Sequence, residues 1–591
     1  MIYEPQRWTL EDLLAAPGSP EQARYLEEVE ERLRAFEDVR DTLSLSLPPS
    51  DFQALLQHYE TLYADLSRLE AYGYLWFSEN TADQGALTFK AKMEQLAAEA
   101  ENRTLFFSLW WKSLDDEAAA RLMAGTGDLR YFLESLRRFK PHTLTEPEER
   151  VINVKDVNGM NVVLTLYDLI TTRFVYRLTV EGEERELTRG MLMAHVYSSD
   201  PALREATYKE LYRLYGANAD VLAQIYAGRV RDWSAENVKL RHFSSPISAR
   251  NLGNDIPDAV VDTLLEVTRK NAPLFQRYFR FKARALGMER LRRYDIYAPL
   301  SDADKTYTFD EAVHLVDASY RAFSPVLADY ALSILHERHV DSETRTGKMD
   351  GAYCYGVLPR VTPWVLVNYA GKINDVSTLA HELGHGVHAL MAAEHSPLTF
   401  HPPLPMAETA SVFGEMLFMD KLLQEEQDVS VRRTLLNTFL ADAYATVMRQ
   451  AYFVAFEKRA HEMIMADATP DELHAAYLEN LQEQFGDAVE VSDEFRLEWI
   501  SIPHIYHTPF YCYAYAFGQL LVLALYRRYK EVGRDAFVPQ YLRILAYGGS
   551  ASPAHILSEA GFDMASPEFW QGGFDLLSEM LEELERLSDE P

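Results

Sequence analysis

Residues 379–388 read Leu-Ala-His-Glu-Leu-Gly-His-Gly-Val-His. On a helix, His381 and His385 sit one turn apart and project from the same face. Two neutral imidazoles so placed can grip one Zn²⁺. Glu382 lies beside them, within reach of a water on the metal rather than of the metal itself. From the product of residue frequencies, such a run arises by chance in about 0.04 chains of this composition. Its flanks give it a structural setting. Upstream, Pro363-Trp364-Val365-Leu366-Val367-Asn368-Tyr369 is rich in β-branched and aromatic residues and predicts a short strand. Gly371 breaks that strand, and Asn374 or Asp375 can cap the next helix.

A catalytic zinc site uses three protein ligands plus water, so a further donor is required. Met406 to Phe418 predicts a mostly apolar, buried helix after the cluster Pro402, Pro403 and Pro405. A buried carboxylate needs a partner to offset its desolvation. Glu408 and Glu415 would lie two turns apart on one face of that helix, so one can bind metal while the other orients a ligand from behind. Glu408, nearer the helix start, is the expected ligand. Glu415 is the alternative ligand, the supporting carboxylate, or a buried glutamate bonded to backbone. Two imidazoles, a carboxylate and an adjacent glutamate base describe a metal-dependent hydrolase of peptide bonds.

The chain has 591 residues, 48% of them hydrophobic, enough for large cores in more than one structural unit. Its net charge of −32 disfavours nucleic acid and anionic membrane surfaces as partners. Two cysteines, Cys354 and Cys512, make no disulfide framework. The first residues show no basic segment followed by an apolar run, and no stretch of 18 apolar residues occurs, so a soluble cytoplasmic protein is expected.

The rest reads as helices joined by short polar breaks. Ser19-Pro20-Glu21-Gln22 forms a capping box with proline at the first helical position. Leu26, Val29, Leu33 and Phe36 then recur at helical spacing. Further helices are predicted over 51–71, 84–101, 116–124, 201–214, 217–238, 256–287 and 308–337, with a polar break from Asp341 to Asp350. Val162–Leu166 and Phe174–Val180 have strand composition, and Glu181-Gly182-Glu183 supplies a hairpin turn. Arg277–Arg284 alternates cations with aromatics. Its expected role is a packed helix whose cations face the chain's own acids, not nucleic acid. The stretch His504–Gly518 is dense in aromatics, and Pro509 predicts a helix start. Core packing explains Phe510 and Phe517, but four tyrosine hydroxyls, on Tyr506, Tyr511, Tyr513 and Tyr515, each need a partner when buried.

Gly351-Ala352-Tyr353, Gly371-Lys372-Ile373-Asn374-Asp375-Val376, His381-Glu382-Leu383-Gly384-His385 and Glu408-Thr409-Ala410-Ser411 resemble the M3 family of zinc peptidases, and within it the oligoendopeptidase F branch. Arg284–Met288, Tyr294–Pro299 and the tail from Ser552 to Trp570 share the likeness. The resemblance implies one Zn²⁺ per chain on His381, His385 and Glu408. It implies a mainly α fold: a thermolysin-like zincin core inside a large helical body split by a deep channel, with a small β-sheet near the active site. It implies that His504 and a tyrosine, Tyr513 first and Tyr511 or Tyr515 behind it, stabilise the oxyanion while Glu382 acts as base. His507 competes with His504; His388 is expected to be packed rather than ligating, and His401 to border the site. The strand carrying Val365 and Val367 is expected to pair with extended substrate. The domain reading is an N-terminal helical region over 1–195 and a catalytic domain over 196–591. The expected activity is endopeptidase action on short unfolded peptides, with no oligomeric state assigned. The alternatives are a metallocarboxypeptidase or dipeptidase, which needs a fixed cation that no Arg or Lys supplies from sequence, and a non-catalytic helical peptide-binding protein, which would not need Glu382.

Overall fold

The computed structural model describes residues 2–300 and 305–589, the last by its backbone alone. Helices dominate, with three small sheets among the described residues. The chain forms two compact units, each assembled from three stretches: Met1–Lys140, Asp304–Glu425 and Arg528–Asp563 in the first, and Pro141–Ala303, Glu426–Arg527 and Met564–Pro591 in the second. This interleaving differs from a single cut near residue 195.

Core sharing explains why the first 140 residues belong with the motif helix. Helices Pro20–Asp38, Pro49–Glu79 and Gln84–Ser113 bury Val29, Leu33, Phe36, Phe52, Leu69, Phe107 and Trp111. The same core takes in Val357, Leu358, Trp364 and Leu366 from the segment preceding the motif helix. Each large apolar side chain so buried is worth about 1.5–3 kcal/mol. The predicted cap is present: Ser19 Oγ accepts from the Gln22 N–H at 3.1 Å, although the Gln22 side chain reaches back to Gly18 rather than Ser19. Trp364 stacks on His339 at 4.2 Å and donates to the Thr9 carbonyl at 2.7 Å.

Trp364–Leu366 is the central strand of a three-stranded sheet. Val340–Asp341 runs parallel on one side and Tyr353–Tyr355 antiparallel on the other. The placement corrects the expectation for Val365 and Val367. Val365 lies in a strand with partners on both edges, Val367 follows it with its N–H on the Asp341 carbonyl, and both side chains are buried, so neither that backbone nor those side chains receive a peptide. The outer strands are Val340–Asp341 and Tyr353–Tyr355, and the Cys354 backbone bonds to Glu382. Buried Asp341 anchors the polar stretch after it. It accepts two hydrogen bonds of 2.6 Å from Arg345 and faces the Lys348 ammonium at 3.0 Å, and that ammonium also donates to the Val367 carbonyl at 2.7 Å.

The motif helix spans Ile373–Met391. Neither Asn374 nor Asp375 occupies its cap. Lys372 does, and Asp375 accepts from the N–H groups of Lys372 and Ala370 at 2.9 Å from inside the first turn. Behind it, Tyr320 of helix Phe309–Phe323 donates its hydroxyl to the Ala380 carbonyl.

In the second unit the hairpin is Tyr176–Val180 against Glu183–Leu187, turned at Glu181 and Gly182, with φ of 54° and 84°. Two successive left-handed residues match the twist of the strands. Val162–Leu166 is not its first strand; it lies within helix Met160–Thr172. The predicted helix 256–287 is two helices meeting at Asn271, and in the first unit 308–337 is broken at Ser324-Pro325, where proline cannot continue the ladder. Arg277 and Arg280 pair with Glu585 and Asp487, the chain's own acids.

Pro509 does not start a helix. Pro503–His507 is one short helix, Tyr513–Val532 a long one, and the loop between them turns on Phe510, whose φ is 58°. A bulky residue holds that conformation only when its surroundings impose it. Here the fully buried Glu457 accepts from the Phe510 N–H at 3.0 Å, Arg250 donates to the Pro509 carbonyl at 3.1 Å, and His461 packs on the Phe510 ring at 4.6 Å. Burial pushes the Glu457 carboxyl up from 4.5 to about 8. Between those values the folded chain holds a proton that the unfolded chain releases, so this group removes stability as pH rises through that window. Glu457→Gln removes the penalty and keeps an acceptor for Phe510. We expect the wild-type Tm to fall more than that of the variant between pH 5 and 8.5, by about 2–4 °C for each kcal/mol of penalty. Calorimetry at several pH values checks this; parallel curves would refute it.

Candidate metal centre and active site

One turn of helix separates His381 from His385, and it brings their Nε2 atoms within 3.2 Å. Glu408 Oε2 lies 3.4 Å from each. Among the described residues this is the one cluster of three metal-ligating side chains. For nitrogen and oxygen ligands at about 2.05 Å, the edge of a tetrahedron is about 3.3 Å. The triangle therefore has the dimensions of one face of a small divalent ion's coordination shell. Its chemistry agrees. His381 Nδ1 donates to Glu415, so its Nε2 offers a lone pair. The Ala407 carbonyl engages His385. Two lone pairs and a carboxylate oxygen converging this closely repel one another unless a cation lies between them.

The local structure explains how Glu408 gets there. Residues 406–418 are not one helix: Leu404–Ala407 and Ser411–Glu425 are separate, with Glu408 at the break. Glu408 and Glu415 thus belong to different elements, not to one face. Glu408 closes the triangle, while Glu415 supports His381 and accepts from Ser377 Oγ at 3.3 Å. Ser411 Oγ donates to Glu408 Oε2 at 2.7 Å. The reading from sequence did not assign Ser411 this task, although its place three residues after Glu408, as the first residue of the next helix, carries the signal. Tyr541 donates to the Thr409 carbonyl at 2.9 Å and fixes the break from behind. Gly384 permits the approach of the two segments, because a Cβ there would lie 2.6 Å from both the Ala410 oxygen and the Ser411 Cα.

His381, His385 and Glu408 line a cavity of about 460 Å³ together with Tyr353, Cys354 and His401. A larger cavity of about 660 Å³ in the same unit, beside Arg68, Asp128 and His395, contains none of the three ligating residues. Glu382 is buried next to the triangle. Burial, reinforced by the charges of Glu408 and Glu415, raises its carboxyl to about 7. Burial opposes charge on His381 too, but the bond to Glu415 and the surrounding carboxylates outweigh it and raise that ring to about 9, so near neutrality Nε2 offers its lone pair only when a metal ion displaces the second proton. His385 goes the other way, to about 4, through burial and the charge of His381. His388 is buried and pushed down to about 3, a packed neutral ring as expected.

His504 lies in the second unit, half-buried, with Tyr511 stacked on it at 6.1 Å and the Tyr515 hydroxyl 3.5 Å from its Nε2. Burial first, then the charges of Arg449, His507 and Arg189, lower its pKa. Tyr513 does not share that setting. It is fully buried, and its hydroxyl accepts from Asn254 at 2.8 Å, so the preferred tyrosine of the sequence reading is committed to the interior. Tyr506 is likewise buried, stacked on Tyr167 at 4.0 Å. His507 is held by Asp168 at 3.0 Å.

Comparison with known proteins gives a family and relatives for the whole chain. The profile of Peptidase family M3 matches residues 194–576, and that of Oligopeptidase F matches residues 110–176. The chain is 28% identical over 545 residues to oligopeptidase PepF of Bacillus subtilis, covering 90% of this chain and 80% of that one. It is 30% identical over 468 residues to an oligoendopeptidase F homolog of Lactococcus lactis, covering 77% and 76%. A crystal structure of a protein from Chlamydophila abortus superposes with a TM-score of 0.87 at 26% identity over 98% of both chains.

Gly384→Ala must push Glu408 away from the imidazoles. We expect metal affinity to fall by about 10–100-fold, as when a supporting residue of a metal site is lost. Gly228→Ala, at a helical glycine with open space around it, should leave affinity unchanged. Competition with a chelator measures both, and equal affinities would refute the role given to Gly384.

Proposed function

The chain belongs to peptidase family M3 and is a metalloendopeptidase of the oligoendopeptidase F type, acting on oligopeptides; on that footing we propose that one Zn²⁺, held by His381, His385 and Glu408, works with Glu382 as base. The triangle of 3.2–3.4 Å between three ligand atoms is the observation that carries the reading. Two imidazoles and a carboxylate suit zinc among the available divalent ions. When bound, the ion supplies polarisation of the scissile carbonyl and lowers the pKa of water from about 16 toward 7.

The remaining steps belong to side chains. Glu382 takes a proton from the attacking water and returns it to the leaving amine. Its burial favours a carboxyl that both accepts and releases a proton near neutrality. Glu415, with Ser377, holds His381 in the tautomer whose Nε2 lone pair faces the site, and Ser411 fixes the rotamer of Glu408. His504 with Tyr511 or Tyr515 donates to the oxygen on which negative charge develops. The outer strand Tyr353–Tyr355, whose Tyr353 and Cys354 line the cavity, is the sheet element placed to pair with the peptide backbone, which favours broad sequence tolerance. Cys354 is a free thiol lining that cavity, an arrangement suited to a reducing cytoplasm.

The test is hydrolysis of a peptide blocked at both ends, with metal analysis. We expect internal cleavage that a chelator abolishes. Glu382→Gln should retain one zinc and lose about 10²–10⁴ in kcat. Cleavage restricted to unblocked peptides, or unchanged turnover in the variant, would overturn the reading.

A further inference from the structure

The helical stretch Val429–Met465 is irregular. Val429–Ala443 and Arg449–Met465 are α-helical, but Tyr444–Met448 between them is a π turn. Such a turn holds an extra residue and re-aims the chain beyond it, and π turns recur at functional sites. The first residue beyond this one is Arg449.

Arg449 Nη2 donates to Glu498 Oε1 at 2.8 Å, and the same oxygen accepts from Arg293 Nη2 at 2.7 Å. Two guanidinium groups share one carboxylate, so the trio retains a net positive charge. Arg293 and Glu498 are sealed, with side chains 1% and 3% exposed, whereas Arg449 is 28% exposed. The Arg293 guanidinium lies against the rings of Tyr208, Phe485 and Phe495, the last at 4.9 Å. The surplus charge therefore emerges at Arg449. Its Nε is buried without an acceptor, as are Nε and Nη1 of Arg293, but only Arg449 is open to an added group. Among the described residues Glu498 is its only ion-pair partner, and that carboxylate is already divided. A half-buried cation so placed gains from an added anion.

The position is functional as well as electrostatic. Glu498 lies on the short helix Asp493–Ser501, immediately before the helix that carries His504. The charge of Arg449 acts on His504 and on the exposed Tyr197, which lies 5.8 Å from Tyr297. Arg189, the other arginine acting on His504, donates to the Ser501 carbonyl at 3.0 Å. Every linear peptide brings one carboxylate at its end, and a short one brings it close to the bond being cut.

We propose that Arg449 receives a carboxylate of the peptide substrate, terminal or from an Asp or Glu side chain, a few residues from the bond served by His504. The inference rests on the role given to His504 and makes Arg449 a specificity-determining residue. It supplies the fixed cation that sequence alone does not reveal.

The zinc-loaded enzyme is assayed on peptides with one scissile bond and one to four residues beyond it, each as free acid and as amide. A second amide series carries Asp or Glu at each of those positions. The wild type should favour acid over amide by about 10–100-fold at the best length, mainly through KM, the equivalent of one charge-assisted hydrogen bond. Recovery in the Asp or Glu amides marks any carboxylate as sufficient; no recovery marks the terminal one. Arg449→Gln leaves Glu498 paired with Arg293 and should bring the acid-to-amide ratio to about one, with Arg449→Lys between. The proposal is overturned if the wild type does not discriminate, or if Arg449→Gln loses activity on acid and amide alike with the ratio preserved, the pattern of a structural role. Either failure leaves cleavage of blocked peptides and its dependence on Glu382 intact, so it is separable from failure of the underlying function.

Discussion

Three electron-rich atoms held 3.2–3.4 Å apart in a cavity are the constraint on which the first unit is built. Without a proton or a metal ion among them such a convergence is unfavourable, and in a partly desolvated setting the repulsion is poorly screened. The scaffold must therefore impose it. Each donor has a separate restraint: Glu415 on His381, the Ala407 carbonyl on His385, Ser411 on Glu408. Those restraints in turn depend on close backbone approach. Gly384 lets the Glu408 segment touch the motif helix, and Gly414 lets the next helix pass the Tyr320 hydroxyl, which itself bonds to Ala380. Glycines and tyrosine hydroxyls behind the triangle thus fix its dimensions without belonging to it.

Much of this was legible in the sequence because it is local. The His-Glu-x-x-His helix, the strand before it and the hairpin turn at Glu181-Gly182 all rest on periodicity or turn chemistry within a few residues. The illegible part depends on partners distant in sequence. Residues 406–418 are apolar enough for one helix, yet the chain breaks at Glu408, where Tyr541 takes the Thr409 carbonyl and Gly384 demands proximity. Val162–Leu166 has strand composition but folds as a helix with one exposed apolar face, a tertiary choice that β-propensity does not foresee. Val365 and Val367 were recognised as strand but not as a central strand, because strand order is a property of the sheet.

The tyrosines after His504 show the limit most clearly. Tyr511, Tyr513 and Tyr515 alternate along the chain, and sequence offers no reason to prefer one. The choice is made by the loop at Phe510, where a positive φ sustained by Glu457 sets where the next helix begins. With Tyr513 as the first residue of that helix, its hydroxyl turns inward to Asn254, while Tyr511 and Tyr515 flank the imidazole. A buried carboxyl remote from the reacting atoms thus decides which phenols are available to His504.

The charge distribution gives the second unit its own logic. A chain with a net charge of −32 repels anionic peptides at long range, yet surface charge is screened beyond about 8–10 Å at physiological ionic strength. Within that distance the local field decides. Around His504 it is positive, set by Arg189 and Arg449, and the larger share comes from a guanidinium whose only carboxylate partner among the described residues also serves Arg293. Had Glu498 paired with Arg449 alone, the pair would be neutral and could not distinguish an acid from an amide. Dividing one carboxylate between a sealed arginine and a half-exposed one leaves both short of acceptors, and only the second is open to another anion. Burial behind aromatic rings prevents water from dispersing that imbalance, so a charge far outnumbered over the whole surface can govern one end of a bound peptide.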